Sequence, residues 1–356
     1  MTEQMISRRQ MLSGLGAATL TGLAGCSAGG SEGNEDTVRA AWVYNTNIGD
    51  LGWTYAHEQG RQYVAEELNW VETDYSESVA PADAERAFQQ YTNNDYDVIY
   101  GCTFDYMDPM LNVAEDSPDT TYEHCAGYQT SENLGRYFGR VYQPRYLSGV
   151  AAAHMTESDM LGFVGAFPIT QVIRGLNAFA LGAFSVNPDI SIGIQYVNSW
   201  YDPPSEQQAA QALIDEGADV ITQHQNSPAP VRAADDADVW SIGFNAPMGE
   251  YGGEKYITSP IWQWGTFYEQ SLRALRDDSW SADFNWGGLN EEHVALDEFG
   301  DNVPDDVVSE VETVRSEFVD GDRTVWDGSK FEDANQSLLF QDMSTYVEGI
   351  DGSVPE

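Results

Sequence analysis

The chain has 356 residues and a net charge of -42, with 58 acidic side chains against 16 lysines and arginines. Such a charge repels nucleic acid and anionic lipid, so neither is expected as a partner. Because 42% of the residues are hydrophobic and 12% aromatic, the chain can form a folded hydrophobic core. The acidic excess and the presence of only two lysines, Lys255 and Lys330, are typical of proteins from extremely halophilic archaea. Such a composition suits very high salt, because at 1 M salt the repulsion between charges is screened within about 3 Å.

The N-terminus has the pattern of an export signal. The pair Arg8-Arg9 precedes an apolar run at residues 11–23, and Leu23-Ala24-Gly25-Cys26 resembles a lipobox. The apolar run is shorter than an ordinary membrane-spanning helix. We therefore expect a twin-arginine lipoprotein signal at residues 1–25, a lipid on Cys26 and a flexible tether at residues 26–37. An uncleaved apolar N-terminal helix is the alternative.

The rest of the chain alternates strand-like and helix-like segments in two series. The first series predicts strands near residues 38–44, 71–75, 97–102, 121–125 and 137–141, with helices at 53–68, 83–91 and 144–154. The second predicts strands at 160–166, 190–197, 219–223 and 239–244, with helices at 172–185, 205–216 and 228–235. Later segments predict helices at 262–276 and 305–319 and a strand at 293–299.

This alternation predicts an α/β protein with parallel sheets joined by crossover helices. Two series predict two lobes. We assign residues 38–157 and about 262–290 to lobe 1, and residues 158–261 and about 291–356 to lobe 2. Ligands of open α/β sheets bind beyond the carboxyl ends of the strands, so we expect one cleft between the lobes.

Aromatic and amide side chains follow the predicted strands. Flat rings that stack, combined with a few amide and carboxylate hydrogen bonds, suit a flat heterocycle or a sugar. The candidate ligand-binding residues are Asn45, Asp50, Trp53, Phe104, Phe167, Trp200, Gln223, Asn245 and Trp262.

Some of these residues also have structural interpretations. Asp50 could cap the following helix, and Trp264 is expected to be structural. His57 is expected to bond a neighbour, while for His224 both roles stay open. Cys102 and Cys125 are either a disulfide or two small core residues.

The sequence contains no pattern that favours catalysis. It has no Gly-x-Ser-x-Gly element, phosphate loop, His-Glu-x-x-His motif or metal-ligand spacing. Carboxylates are abundant, but none stands out as a pair. We therefore expect a binding protein with no cofactor and no metal.

Four segments carry a family resemblance. They are residues 50–61 (DLGWTYAHEQGR), 139–149 (GRVYQPRYLSG), 173–182 (IRGLNAFALG) and 217–229 (GADVITQHQNSPA). Together they resemble the basic membrane protein family of ABC-transporter substrate-binding lipoproteins, related to purine nucleoside receptors. The resemblance covers about residues 38–267. It implies the two-lobed periplasmic-binding-protein type I fold, with the ligand between the lobes.

The resemblance also implies roles for single residues. Trp53 falls on the position whose aromatic ring stacks on the base in nucleoside receptors. Those receptors hold ribose with an aspartate and a lysine, where this chain has Asn245 and Trp262. These departures favour a free purine base, such as adenine, over a nucleoside.

The expected function is capture of this solute on the extracytoplasmic face of the membrane by a monomer, and delivery to an ABC permease and its ATPase. A sensor lipoprotein with a signalling partner, or binding of a sugar or another flat polar solute, is the alternative.

Overall fold

The computed structural model describes residues 37–355. The predicted signal, the tether and the lipidated Cys26 lie outside the described residues. In the described part of the chain no helix is long and apolar enough to cross a membrane. That part also contains no group of His, Cys, Asp and Glu side chains suited to hold a metal ion.

Strands and helices alternate along most of the chain. The strands are β1 (Val38–Val43), β2 (Val71–Ser76), β3 (Val98–Gly101), β4 (Thr121–Cys125), β5 (Leu134–Gly139), β6 (Met160–Gly165), β7 (Ser191–Tyr196), β8 (Val220–His224), β9 (Trp240–Ile242), β10 (Tyr256–Thr258), β11 (Pro260–Trp262), β12 (Phe284–Gly287) and β13 (Val294–Leu296). The α-helices are α1 (Trp53–Glu67), α2 (Pro81–Asn93), α3 (Met107–Asp116), α4 (Tyr142–Met155), α5 (Thr170–Val186), α6 (Pro203–Asp215), α7 (Ala229–Asp236), α8 (Gly249–Gly252), α9 (Trp264–Arg276) and α10 (Asp305–Asp320). A short π-helix follows at Leu338–Asp342.

The strands form two parallel sheets. The first has the order β12-β5-β4-β3-β1-β2 and the second the order β10-β9-β8-β6-β7. The chain builds five strands of the first sheet, then the whole second sheet, and returns to add β12 beside β5. β11, which follows the second sheet, pairs antiparallel with β13, which follows β12. The α/β class with two parallel sheets is therefore confirmed, whereas the lobe boundaries stay a prediction.

The pattern of burial explains why parallel sheets form. β1, β3 and β8 are buried almost throughout, as expected for strands covered by helices on both faces. Helices α4 and α5 pack together through two glycines. A Cβ on Gly149 would lie 2.0 Å from the carbonyl oxygen of Phe179, and one on Gly182 would lie 2.0 Å from that of Tyr146. This contact requires glycine at both positions.

One prediction from the sequence needs correction, and one question that the sequence left open is answered. Residues 262–276 are not one helix, because Pro260–Trp262 pairs with β13 and α9 begins only at Trp264. Cys102 and Cys125 are free buried thiols, so they have the core role and do not form the alternative disulfide.

Candidate ligand-binding cleft

A cavity of about 780 Å³ lies where the carboxyl ends of the two parallel sheets meet. This volume is in the usual range for small-molecule sites. The residues lining it are Asn45, Thr46, Trp53, Thr103, Phe104, Asp105, Ala126, Tyr128, Phe138, Ile169, Thr170, Gln171, Arg174, Trp200, His224, Asn226, Phe244, Asn245, Trp262, Phe340 and Gln341. Loops after β1, β3 and β4 supply one wall, and loops after β6, β7, β8 and β9 supply the other.

The indole of Trp53 is oriented by contacts around it. Its Nε1–H donates to the carbonyl of Cys102 at 2.7 Å. Its ring packs nearly perpendicular to the rings of Trp262 and Trp264, at centroid distances of 5.4 and 5.7 Å. α1 begins at Trp53 behind Gly52, whose φ of 95° is the left-handed region that favours glycine. The start of the helix therefore fixes the ring at the cavity wall.

A stack of three flat side chains supports this wall. Trp262 lies on Trp264 at 4.8 Å with planes 10° apart, and Trp264 lies on His57 at 4.7 Å with planes 7° apart. Nδ1 of His57 is 2.6 Å from the hydroxyl of Tyr268. Burial lowers the pKa of His57 well below its ordinary value. His57 is therefore neutral and bonds a neighbour, as predicted, and the burial of Trp264 fits the structural role expected for it.

Asn245 and Trp262 are joined by a hydrogen bond, since the indole Nε1–H of Trp262 donates to Oδ1 of Asn245 at 2.7 Å. The Nδ2 group of Asn245 donates to Oδ1 of Asn226 and to the carbonyl of Gln225 at 2.9 and 3.2 Å. The same Oδ1 of Asn226 accepts the backbone N–H of Trp53 at 3.2 Å. One amide network therefore ties the two walls together, and both N–H groups of the Asn245 amide are used inside the protein.

The structure brings six of the predicted site residues to the cavity. These are Asn45, Trp53, Phe104, Trp200, Asn245 and Trp262.

The other three predicted residues do not line the cavity. Gln223 is fully buried and its Nε2 lies 3.0 Å from Sδ of Met248. Successive side chains of a strand point to opposite faces, and in β8 it is His224 that lines the cavity. Phe167 contacts Trp200 with ring centroids 5.3 Å apart and does not itself line the cavity. Asp50 is exposed ahead of α1, whose N-cap is Gly52, without a side-chain cap.

Sequence reasoning missed several lining residues. Phe138 lies inside β5, Arg174 lies in the second turn of α5, and Phe340 and Gln341 belong to the π-helix near the C-terminus. His224 was left open between two roles and lines the cavity. The motif at residues 173–182 pointed toward Arg174, but nothing in the sequence placed the C-terminal segment beside the first sheet.

The fold and the cleft define a class: a substrate-binding protein whose site lies at the carboxyl ends of two parallel sheets. Residues 37–323 match the model of the Bmp family, described as "ABC transporter substrate-binding protein PnrA-like". The chain belongs to this family. It is therefore a substrate-binding protein of an ABC transporter, works outside the cytoplasm and binds its substrate without transforming it.

Three comparisons illustrate the relationship. TsgA13 of Haloferax volcanii, a candidate glucose-binding protein of an ABC transporter, is 49% identical over 99% of both chains. The purine-binding protein BAB2_0673 of Brucella abortus is 36% identical over 94% of this chain and 99% of its own. An ABC-transporter solute-binding protein from Conexibacter woesei has a similar fold, with a TM-score of 0.71, 22% identity and coverage of 81% of this chain and 98% of its own.

Proposed function

We propose that this protein captures a free purine base outside the membrane and delivers it to an ABC permease. One observation carries the proposal, namely the chemistry of the cavity wall. Eight aromatic side chains line the cavity: Trp53, Phe104, Tyr128, Phe138, Trp200, Phe244, Trp262 and Phe340. Among the described lining residues Asp105 is the single carboxylate. Stacking on such rings suits a flat heterocycle.

Preference for the base over the nucleoside rests on Asn245 and Trp262. A ribose presents neighbouring hydroxyls that need acceptors, and a carboxylate accepts more strongly than an amide. Oδ1 of Asn245 already accepts from Trp262, and the bulky indole occupies this side of the cleft. Placing a ribose here would leave its hydroxyls poorly paired, at about 1–3 kcal/mol for each lost partner.

A sugar is the second candidate, favoured by the 49% identity to TsgA13. Amides and hydroxyls that line the cavity are suitable partners for sugar hydroxyls, among them Asn45, Asn226 and Gln341. Isothermal titration calorimetry in molar salt with adenine, adenosine, guanine, guanosine and glucose separates the candidates. Tightest binding of a purine base supports the proposal, whereas binding of glucose without any purine replaces it by the sugar candidate.

The proposal includes a lipid anchor on Cys26 after export by the twin-arginine route. The motifs at Arg8-Arg9 and at residues 23–26 support it. Cys26→Ala is expected to release the protein from the membrane or leave it unprocessed, and Arg8-Arg9→Lys-Lys is expected to block export. Cell fractionation tests both variants, and normal membrane association of Cys26→Ala contradicts the anchor.

A further inference from the structure

Two guanidinium groups are buried beside the cavity without an acidic partner. Arg174 is 1% exposed and Arg145 is 0% exposed. Within residues 37–355 no ion pair involves either side chain. Of these two arginines, Arg174 lines the cavity and Arg145 does not. A buried charge without an ion-pair partner is costly, so Arg174, the one of the two that lines the cavity, indicates an interaction that the protein alone does not supply.

The contacts of Arg174 use only some of the N–H groups of its guanidinium. Its Nη1 donates to the carbonyls of Leu339 and Phe340, at 2.5 and 3.2 Å. Its Nε is buried and has no hydrogen-bond partner among the described residues. The rings of Trp286 and Phe340 lie 5.3 and 5.7 Å from the guanidinium carbon, within the range of cation–π attraction. These contacts hold the group in place and leave donors without acceptors.

Both arginines stay protonated although they are buried. Burial lowers the pKa of Arg174 to about 10 and that of Arg145 to about 9, so both remain cationic at neutral pH. Arg145 faces the protein, because its Nη1 donates to Oγ1 of Thr222 at 3.1 Å and its Nη2 donates to the carbonyl of Gln223. This end of the cavity is therefore positive, in a chain whose net charge is -42.

His224 completes this end of the cavity. It lines the cavity, is 3% exposed, and its Nδ1 has no hydrogen-bond partner in the described part of the chain. Burial, followed by the charges of Arg145 and Arg174, lowers its pKa well below the ordinary value. The imidazole is therefore neutral and offers one donor and one acceptor nitrogen.

We infer that Arg174 and His224 form the end of the cavity that receives a hydrogen-bond acceptor of the ligand, a carbonyl oxygen or an anionic edge. An arginine donates only and cannot accept. The inference rests on the proposed purine site, and within it the ligand class is the oxopurines. The exocyclic oxygen of hypoxanthine or guanine accepts a hydrogen bond, whereas the amino group of adenine at the same position donates and would face the guanidinium donors. A site built for an acceptor rejects the analogue that lacks it.

Calorimetry with hypoxanthine and adenine tests the inference on the full-length protein in molar salt. Hypoxanthine is expected to bind about 10- to 100-fold more tightly than adenine, as for a hydrogen bond to a charged group. Arg174→Gln is expected to remove most of this ratio by weakening hypoxanthine, with less than about a threefold change for adenine. The matched control is Arg140→Gln, which removes the same charge beside the Trp286 ring at a residue that does not line the cavity.

A second variant covers the case in which Arg174→Gln does not fold. His224→Phe keeps a flat ring, removes both nitrogens and is expected to lower the same ratio. Adenine binding as tightly as hypoxanthine to the unmodified protein overturns the inference and leaves the purine proposal standing. Equal weakening of both bases by Arg174→Gln also overturns it, since a purely structural role has that effect. If no purine binds, the proposed function and the inference fail together.

Discussion

Trp53 is the residue whose position says most about the ligand. Its indole N–H is already bonded to the carbonyl of Cys102, so the ring contributes its flat surface rather than a donor. Nearly perpendicular contacts with Trp262 and Trp264 fix the plane of that ring. A preorganised flat surface is what stacking on a heterocycle requires, because no side-chain freedom has to be lost on binding.

Trp53→Ala is therefore expected to weaken purine binding by about 1–3 kcal/mol, or roughly 5- to 150-fold. Because Trp53 packs against Phe138, Trp262 and Trp264, truncation also leaves a cavity and lowers stability by a few kcal/mol. Trp53→Phe keeps a ring and should retain most of the affinity. Calorimetry and thermal unfolding measure the two effects separately.

Tyr201→Ala is the control for Trp53, because this tyrosine is 65% exposed near the cleft and does not line the cavity. It should change neither affinity nor melting temperature. Unchanged affinity in Trp53→Ala, together with a large loss of stability, contradicts the stacking role.

Glu123 is a buried carboxyl in the first sheet and gives the fold a pH dependence. Its Oε1 accepts from Nε1 of Trp280 at 2.8 Å and from the hydroxyl of Ser271 at 3.0 Å. Burial nevertheless raises its pKa to about 7. The folded state therefore holds this proton at pH values where the unfolded state has lost it, and this group's contribution to stability falls as the pH rises from about 4.5 to about 7.

Glu123→Gln should keep the two hydrogen bonds and remove the loss of folding stability that accompanies rising pH. The variant is expected to be more stable than the unmodified protein at pH 8, by up to about 3 kcal/mol, with a smaller difference at pH 5. Denaturant unfolding at both pH values measures it. A difference that does not change with pH shows that the carboxyl is not the titrating group.

At the scale of elements, the C-terminal π-helix is the part of the cleft that the sequence did not reveal. Arg174 donates to the carbonyls of Leu339 and Phe340, and the hydroxyl of Thr170 donates to the carbonyl of Gln341 at 2.9 Å. The segment is thereby held against α5, and Phe340 and Gln341 reach the cavity. It lies beyond residues 37–323, which carry the family match.

Gln341→Ala is expected to weaken ligand binding by about 0.5–1.5 kcal/mol, roughly 2- to 10-fold, because it removes an amide that lines the cavity. The matched control is Gln336→Ala, just before the π-helix, at a residue that is exposed and outside the cavity lining. Calorimetry with both variants decides the matter. Equal affinities show that the Gln341 amide makes no contact with the ligand.

The sequence was informative about elements and less so about contacts between them. Short apolar runs bounded by polar turns predicted β1, β6 and β8. The runs are apolar throughout because those strands are buried on both faces. β12 is four residues long and pairs with residues of β5 that lie 148 positions earlier in the chain, so no local sequence pattern predicts this pairing. Aromatic side chains after strands predicted much of the cleft. The Trp262–Asn245 hydrogen bond and the buried Nε of Arg174, which lacks a partner among the described residues, depend on tertiary packing and could not be predicted.

At the scale of the whole molecule, the net charge of -42 should make stability depend on salt. Repulsion between surface carboxylates acts over about 30 Å at 0.01 M salt and only about 3 Å at 1 M. Surface ion pairs contribute little to offset it. We expect the melting temperature to rise steeply between millimolar and molar potassium chloride.

Sucrose at matched osmolality serves as the control for that salt series, because it stabilises by exclusion from the surface without screening charge. It should raise the melting temperature less than the salt does. A melting temperature that stays level from millimolar to molar salt contradicts the proposed adaptation to high salt.

Whole-molecule function depends on what the cleft between the two sheets binds, and calorimetric titration in molar salt tests this most directly. The unmodified protein should be titrated with hypoxanthine, adenine, their nucleosides inosine and adenosine, and glucose. The account predicts that a free purine base binds most tightly, with each nucleoside weaker than its base, because the proposal places the ribose against Asn245 and Trp262, which already bond each other. Nucleosides that bind as tightly as their bases, or glucose binding in the absence of any purine binding, would contradict it.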